Sequence, residues 1–202
     1  MSFRIEEKLF IRKENLIQFK EYLFKKKAVK LYNPRIIKSL YFDNEKLDMY
    51  NDSIEGLVPR KKIRIRSYPN EINKKIFYEI KNSTVEGRFK KREIISNEKS
   101  NSRISNGIID NQYGICFPKV FVKYSREYLS IDNVRISIDQ NISYEDFLTK
   151  KISSDKRIIV ELKTSIDKNV DELISDFPMQ RTRFSKYCYA IENLNNFNKQ
   201  IV

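Results

Sequence analysis

Histidine is absent from the 202-residue chain, cysteine occurs twice and glycine four times. Without histidine there is no Ser-His triad, no imidazole ligand for zinc and no imidazole general acid or base. Cys116 and Cys188 lie far apart and have no metal-ligand spacing, so free or buried thiols are expected rather than a disulfide. The four glycines form no GxxxxGK, which excludes a P-loop as the phosphate cradle. No run approaches the ~18 apolar residues of a membrane span, and Met1 to Glu7 carries no basic and apolar leader, so a cytoplasmic protein is expected.

What is abundant is positive charge. The formal net charge is +13, which calls for an anionic partner: nucleic acid, an acidic membrane surface or a phosphorylated small molecule. Hydrophobic residues make up 40% and aromatics 12%, enough for a packed core in one domain over residues 1–202. The charge is patterned. Arg60, Lys62, Arg64 and Arg66 recur at period 2 with aliphatic Ile63 and Ile65 between them, and no acid interrupts the row. Like charges on one strand face repel, so that face needs water or a polyanion.

Periodicity predicts about eight strands. They are Phe3–Ile11, Arg35–Asp43, Pro59–Tyr68, Lys75–Lys81, Arg88–Ile95, Lys119–Leu129, Val134–Gln140 and Lys156–Thr164. Helices are expected over Asn15–Lys27, Val170–Asp176 and Lys186–Asn196, and Ser96–Asn106 reads as a surface connection. Several strands oppose an apolar face to a charged one, as in Phe77–Lys81, Val134–Asp139 and Ile159–Lys163. Two architectures fit: a sheet or sandwich with its charges in solvent, or a closed barrel with a wet cationic lumen. The Tyr and Phe residues sit mainly at apolar parity, so core packing accounts for them better than base stacking.

Eight blocks, in order, then carry a resemblance: Arg4-x-Glu6-x-Lys8, Ser39-Leu40-Tyr41-Phe42-Asp43-Asn44, Lys62 to Tyr68, Phe77 to Lys81, Tyr124-Ser125-Arg126, Arg135 to Asp139, Val160 to Lys163 and Arg183 to Tyr187. Together they resemble the VTC domain, the polyphosphate polymerase branch of the triphosphate tunnel metalloenzymes, nearly end to end. The resemblance implies a mainly β, α+β fold: an eight-stranded antiparallel closed β-barrel with a polar cationic lumen and flanking helices. It also implies ATP and inorganic polyphosphate as ligands, Mg²⁺ or Mn²⁺ as cofactor, and transfer of the ATP γ-phosphoryl group to a growing chain.

Carried over position by position, phosphate-holding residues fall on Lys8, Arg64, Arg66, Lys81, Lys90, Arg126, Arg135, Arg183 and Lys186. Parity adds Lys62 and Lys163, and Arg92 shares the face of Lys90. Catalytic roles are expected for Lys8, Arg64, Arg66, Lys81, Arg126, Arg135 and Glu161. Glu161 is the expected metal ligand, with Glu6 and Glu79 as lysine-orienting or outer contacts, and Asp139 is expected to be structural. Arginine suits phosphate through its fixed donor fork and lysine as a mobile point charge.

Phosphoryl transfer runs on positioning and electrostatics, so the missing histidine is no obstacle. Hydrolases and cyclases of the wider superfamily typically carry ExExK on the first strand. Here Arg4 takes the first acidic place, which weakens a two-metal, water-activating site and ranks polymerase above triphosphate hydrolase; a non-catalytic polyphosphate-binding module stands as a third reading. The family's eukaryotic polymerases sit in membrane assemblies. Such coupling here implies a separate membrane protein and a peripheral place at the inner face of the membrane.

Overall fold

The computed structural model describes residues 4–165 and 179–199. Eleven strands form one mixed-length antiparallel system: β1 (Arg4–Ile11), β2 (Val29–Asp43), β3 (Arg60–Ser67), β4 (Ile76–Thr84), β5 (Gly87–Ile95), β6 (Ile108–Asp110), β7 (Gly114–Ile131), β8 (Val134–Asp146), β9 (Ile152–Asp155), β10 (Ile158–Ser165) and β11 (Gln180–Arg181). Four α-helices accompany them among the described residues: α1 (Leu16–Lys25), α2 (Asp48–Glu55), α3 (Asn97–Asn106) and α4 (Lys186–Lys199). The strands pair in the order β11-β1-β10-β8-β7-β2-β3-β4-β5, with β6 on β7 and β9 on β8.

The chain divides into two compact units. The first comprises residues 1–35, 124–142 and 155–184. Its core is the apolar parity of three strands: Leu9 and Ile11 from β1, Val160 and Leu162 from β10, Ile136 and Ile138 from β8. Helix α1 covers them with Phe19 and Leu23, four residues apart and fully buried, while Leu16 and Tyr22 pack at the margin. Each such buried side chain stabilises the fold by about 1.5–3 kcal/mol.

The second unit comprises residues 36–123, 143–154 and 185–202. Ile63, Ile65, Tyr78 and Ile95 form the buried parity of β3, β4 and β5. The Arg103 guanidinium of α3 lies 3.8 Å from the centre of the Tyr78 ring. In α4, Tyr187, Ala190, Ile191 and Leu194 are buried at i, i+3, i+4 and i+7, the stripe of an amphipathic helix. Helix α2 packs against β3 and α4. Its N-terminal amides are held by a buried carboxylate: Asp43 accepts from Met49 N (3.1 Å) and Tyr50 N (3.0 Å). Gly56, at φ 79°, closes the other end in the left-handed region.

The α+β, mainly antiparallel character agrees with expectation; the closed eight-stranded barrel does not. Among the described residues the sheet is open, with β11 and β5 at its ends. The physical reasons lie at those ends. β11 is two residues long. β5 presents Arg88, Lys90, Lys91 and Arg92 along its exposed length, a cationic edge that disfavours further pairing. The strand count also rises, through the short strands β6, β9 and β11.

The Ser96–Asn106 segment, expected as a connection, is helix α3. Ser96 caps it by accepting from Lys99 N at 3.2 Å. The helix expected over Asn15–Lys27 is α1, entered through a single 3-10 turn at Lys13–Asn15. The expected helix over Val170–Asp176 lies outside the described residues. No helix among the described residues is long and apolar enough to cross a membrane.

Candidate functional site

Strand register decides which charges meet. In β3, β4 and β5 the pairs Lys62↔Lys81↔Lys90 and Arg64↔Glu79↔Arg92 run straight across three strands, and Arg60↔Ser83↔Arg88 forms a further row. Directly opposed residues share a face. With Arg66, that face therefore carries eight cations and one carboxylate, Glu79. The opposite face carries the buried Ile63, Ile65, Tyr78 and Ile95.

Glu79 is almost fully enclosed by its partners. Arg64 donates from Nε to Glu79 Oε2 at 2.7 Å, with its Nη2 at 2.6 Å. Lys90 Nζ stands 2.5 Å from Oε1, Arg92 Nε 3.2 Å, and Arg66 Nη1 3.8 Å from Oε2. Burial would raise the Glu79 pKa, but Arg64, Arg66 and Lys90 outweigh it and hold the carboxyl well below the usual range. Burial acts on Lys90 in the other sense: against the attraction of Glu79, it pushes the ammonium pKa down to about 8. Lys62 is lowered too, burial being the main cause, and it donates to Ser185 Oγ at 2.9 Å. Ser185 Oγ in turn accepts from Cys188 N (3.4 Å), capping α4.

Not every cation of this face is equally available. Arg60 donates to the carbonyls of Gly56 (3.1 Å) and Leu57 (2.7 Å), closing the C-terminus of α2. Lys81 is half-buried between Lys62 and Lys90 in the register. Lys186 opens α4 and acts electrostatically on Tyr41.

Two further residues of this face were not read as site residues. The Tyr41 hydroxyl accepts from Arg64 Nη1 at 2.8 Å and Ser39 Oγ accepts from Arg66 Nε at 3.1 Å. Their signal was parity: Ser39 and Tyr41 alternate along β2 opposite Arg66 and Arg64. Tyr41 stacks on Tyr187 at 5.2 Å, and Tyr187 donates to Asp43 at 2.5 Å. Burial opposes ionisation of Tyr41, but Arg64 and Arg66 lower its pKa on balance.

In the other unit, β1, β10 and β8 place Lys8 opposite Glu161 and Glu161 opposite Ser137, then Glu6 opposite Lys163 and Lys163 opposite Arg135. This face has near balance: Lys8, Arg126, Arg135 and Lys163 against Glu6, Asp139 and Glu161. Lys163 Nζ is 3.0 Å from Glu161 and 3.7 Å from Glu6. Lys8 donates to the Phe184 carbonyl at 2.8 Å and lies 3.8 Å from Glu6. Arg126 forks onto the buried Asp139 at 2.5 and 2.7 Å and reaches Glu161 at 3.3 Å. Burial disfavours the Glu161 carboxylate, yet Arg126, a hydrogen bond with Glu6, Lys163 and Lys8 together hold its pKa well below the ordinary range. Arg135 is exposed, its guanidinium 5.6 Å from the Tyr128 ring centre, and Arg183 is exposed after β11.

Among the described residues no group of three or more Cys, Asp or Glu could hold a metal by itself. Glu161 with Glu6 is a two-carboxylate set. That fits Mg²⁺ or Mn²⁺ held by one or two carboxylates with phosphate oxygens and water completing the shell; it does not fit an all-protein cage.

A family model described as the VTC domain matches residues 3–114 and 112–195. Solved structures share the fold at low identity. A candidate adenylate cyclase from Bacillus halodurans aligns with TM-score 0.62 and 12% identity, over 91% of this chain and 94% of that one. A Hippeastrum protein, described as a candidate adenylyl cyclase with a dominant triphosphatase activity, aligns with TM-score 0.60 and 15% identity, over 95% and 96%. A Pyrococcus horikoshii protein aligns with TM-score 0.60 and 13% identity, over 95% and 99%. No curated protein matches the chain.

Proposed function

Because this chain belongs to the VTC domain family, we propose that it is a divalent-metal-dependent polyphosphate polymerase, working as one domain, that transfers the γ-phosphoryl group of ATP to a growing polyphosphate. The observation that carries the reading is the β3–β5 face, where register alignment stacks eight cations against a single carboxylate. A solvated sheet face gains nothing from opposing lysines across three strands, whereas a chain of phosphates neutralises them in turn.

In this reading Arg64 and Arg66 offer guanidinium forks whose orientation is set by Glu79, Tyr41 and Ser39, so little reorganisation is needed when phosphate arrives. Lys62, Lys81, Lys90 and Arg92 add charge along the same face. Lys8, Lys163, Arg135, Arg126, Arg183 and Lys186 are the further phosphate contacts we propose. Glu161, with Glu6 beside it, would hold the metal, which when bound supplies charge neutralisation and alignment of phosphate oxygens. Arg126 and Lys163 keep Glu161 ionised and oriented for that task. The acceptor's terminal phosphate oxygen, ionised at neutral pH, attacks the γ-phosphorus; the bond to the β-phosphate oxygen breaks, ADP leaves and the chain is one phosphate longer. No side-chain base is required.

The hydrolase alternative is supported by the Hippeastrum relative's triphosphatase description. Against it stand Arg4 at the first acidic place of β1 and the two-carboxylate set, which suits a single metal rather than a water-activating pair. Incubation of the protein with ATP and Mn²⁺, with products sized before and after exopolyphosphatase, tests the proposal. ADP and long polyphosphate are expected, and Glu161→Ala should abolish turnover while tripolyphosphate still binds. Orthophosphate release without chain growth would identify a hydrolase; binding with no turnover in the unaltered protein would identify a binding module.

A further inference from the structure

The turn that joins α1 to β2 combines two features the phosphate chemistry does not use. The first is charge: Lys25, Lys26, Lys27 and Lys30 are exposed, and no acidic residue occurs between Tyr22 and Phe42. The second is exposed apolar surface in the same short stretch: Phe24 is 46% exposed, Val29 59%, Leu31 38% and Tyr32 51%. Ile17, 71% exposed, stands seven residues before Phe24, on the same side of α1 and opposite the buried Phe19 and Leu23.

Helix capping accounts for part of this. Cations at the end of α1 complement its dipole, but Lys30 lies beyond the helix, and dipole compensation gives no reason for exposed Val29 and Leu31. The acids near the outer side of α1 are Glu14 and Glu21; Lys20, between Ile17 and Phe24, is paired with Glu127 at 2.6 Å. The 24–32 stretch is therefore wholly cationic and apolar.

We infer that the α1–β2 turn docks onto an anionic lipid bilayer. Lysines with long apolar stems and adjacent aliphatic side chains match a headgroup layer above an acyl boundary: the ammonium groups meet lipid phosphates while Phe24, Val29 and Leu31 enter the apolar margin. A nucleic acid would satisfy the lysines and leave Ile17, Val29 and Leu31 in water. The docking is independent of the polymerase reading, since none of these residues belongs to the proposed phosphate or metal sites.

Flotation of the full chain with vesicles of phosphatidylcholine, and of phosphatidylcholine containing about one third phosphatidylglycerol, tests this. Binding only to the anionic vesicles is expected. Each lysine at such a surface contributes about fivefold, so Lys25→Gln, Lys26→Gln and Lys30→Gln combined should weaken binding about 100-fold, and the same three positions changed to Arg should retain it. Phe24→Ser with Leu31→Ser should weaken it roughly tenfold with every charge intact. Lys91→Gln on β5 with Lys74→Gln and Lys75→Gln just before β4, exposed cations off the proposed phosphate face, should leave it unchanged. Two results would overturn the inference: equal binding by the Gln variant of the turn, or loss of binding in the Lys74, Lys75 and Lys91 variant alone. A third would replace the bilayer with nucleic acid: single-stranded RNA binding that needs the three lysines but tolerates the Phe24 and Leu31 changes, with no vesicle binding.

Discussion

Replacing Glu79 with Gln tests the cationic face directly. The carboxylate has 1% of its side chain exposed and ion-pairs with Arg64, Arg66, Lys90 and Arg92. Two of those partners are themselves buried, Arg64 with 11% and Arg66 with 8% of the side chain exposed; Lys90 and Arg92, near 40%, can turn to water. Removing one partner of a buried pair leaves an uncompensated buried charge and costs about 3–5 kcal/mol. At roughly 2–4 °C per kcal/mol for a chain of this size, the variant should melt about 6–20 °C lower. Tripolyphosphate should restore more of that loss than it adds to the unaltered protein, because the anion takes the place of the missing carboxylate. Thermal unfolding with and without tripolyphosphate reads both effects. A variant that melts within about 2 °C of the parent, or gains no extra stabilisation from the anion, would refute the argument that this face is organised around a compensating negative charge. The pH dependence carries the matching sign. Glu79 is held below its ordinary pKa in the fold, so its contribution is present above the unfolded value of 4.5 and is lost as pH falls below it.

Lys90, lowered to about 8, should pick up a proton when phosphate binds above that pH. Tripolyphosphate affinity should therefore fall between about pH 8 and 10, calorimetry in two buffers should register proton uptake, and Lys90→Arg should flatten the profile. Without ligand the sign reverses: the unfolded chain holds that proton more tightly, so stability rises with pH across the same window. Asp43→Ala strands Met49 N, Tyr50 N and the Tyr187 hydroxyl, and should cost about 3 kcal/mol in urea unfolding, whereas Asp43→Asn should cost less because an acceptor remains. Arg126→Lys loses the fork on Asp139 and the reach to Glu161; it should raise the Mn²⁺ concentration needed for half-maximal turnover, and melting temperature should change far less than in Glu79→Gln.

Much of the fold was legible because period-2 alternation is local. The apolar and charged parities of β1, β3, β8 and β10 are properties of the residues themselves; β1, β3 and β10 end within two residues of expectation, and β8 starts at Val134 as expected but runs on to Asp146. The ends were harder to read. β2 begins at Val29 rather than Arg35 and β7 at Gly114 rather than Lys119; the early residues Gly114 to Cys116 of β7 are strand through pairing with the short β6. Helix α2 went unread because Asp48-Met49-Tyr50-Asn51-Asp52 is poor helical sequence; Asp43, five residues before the helix, holds its amides. Asn97 to Asn106 looked like a loop for the same reason, until Ser96 capped it and Arg103 reached Tyr78.

The sequence by itself determined the charge, the absence of histidine chemistry, the alternation of cationic and aliphatic residues and the order of the eight blocks that mark the family. These depend only on residue identity and spacing along one strand. Tertiary structure alone decided which strands pair, and pairing sets what each charge faces. Register puts Lys62 across from Lys81 and Lys90, encloses Glu79 among Arg64, Arg66, Lys90 and Arg92, and brings Glu6, Arg126 and Lys163 to Glu161. It also left the sheet open where a closed barrel was expected, since closure requires a partner for each terminal strand and no single strand's pattern reports whether one exists.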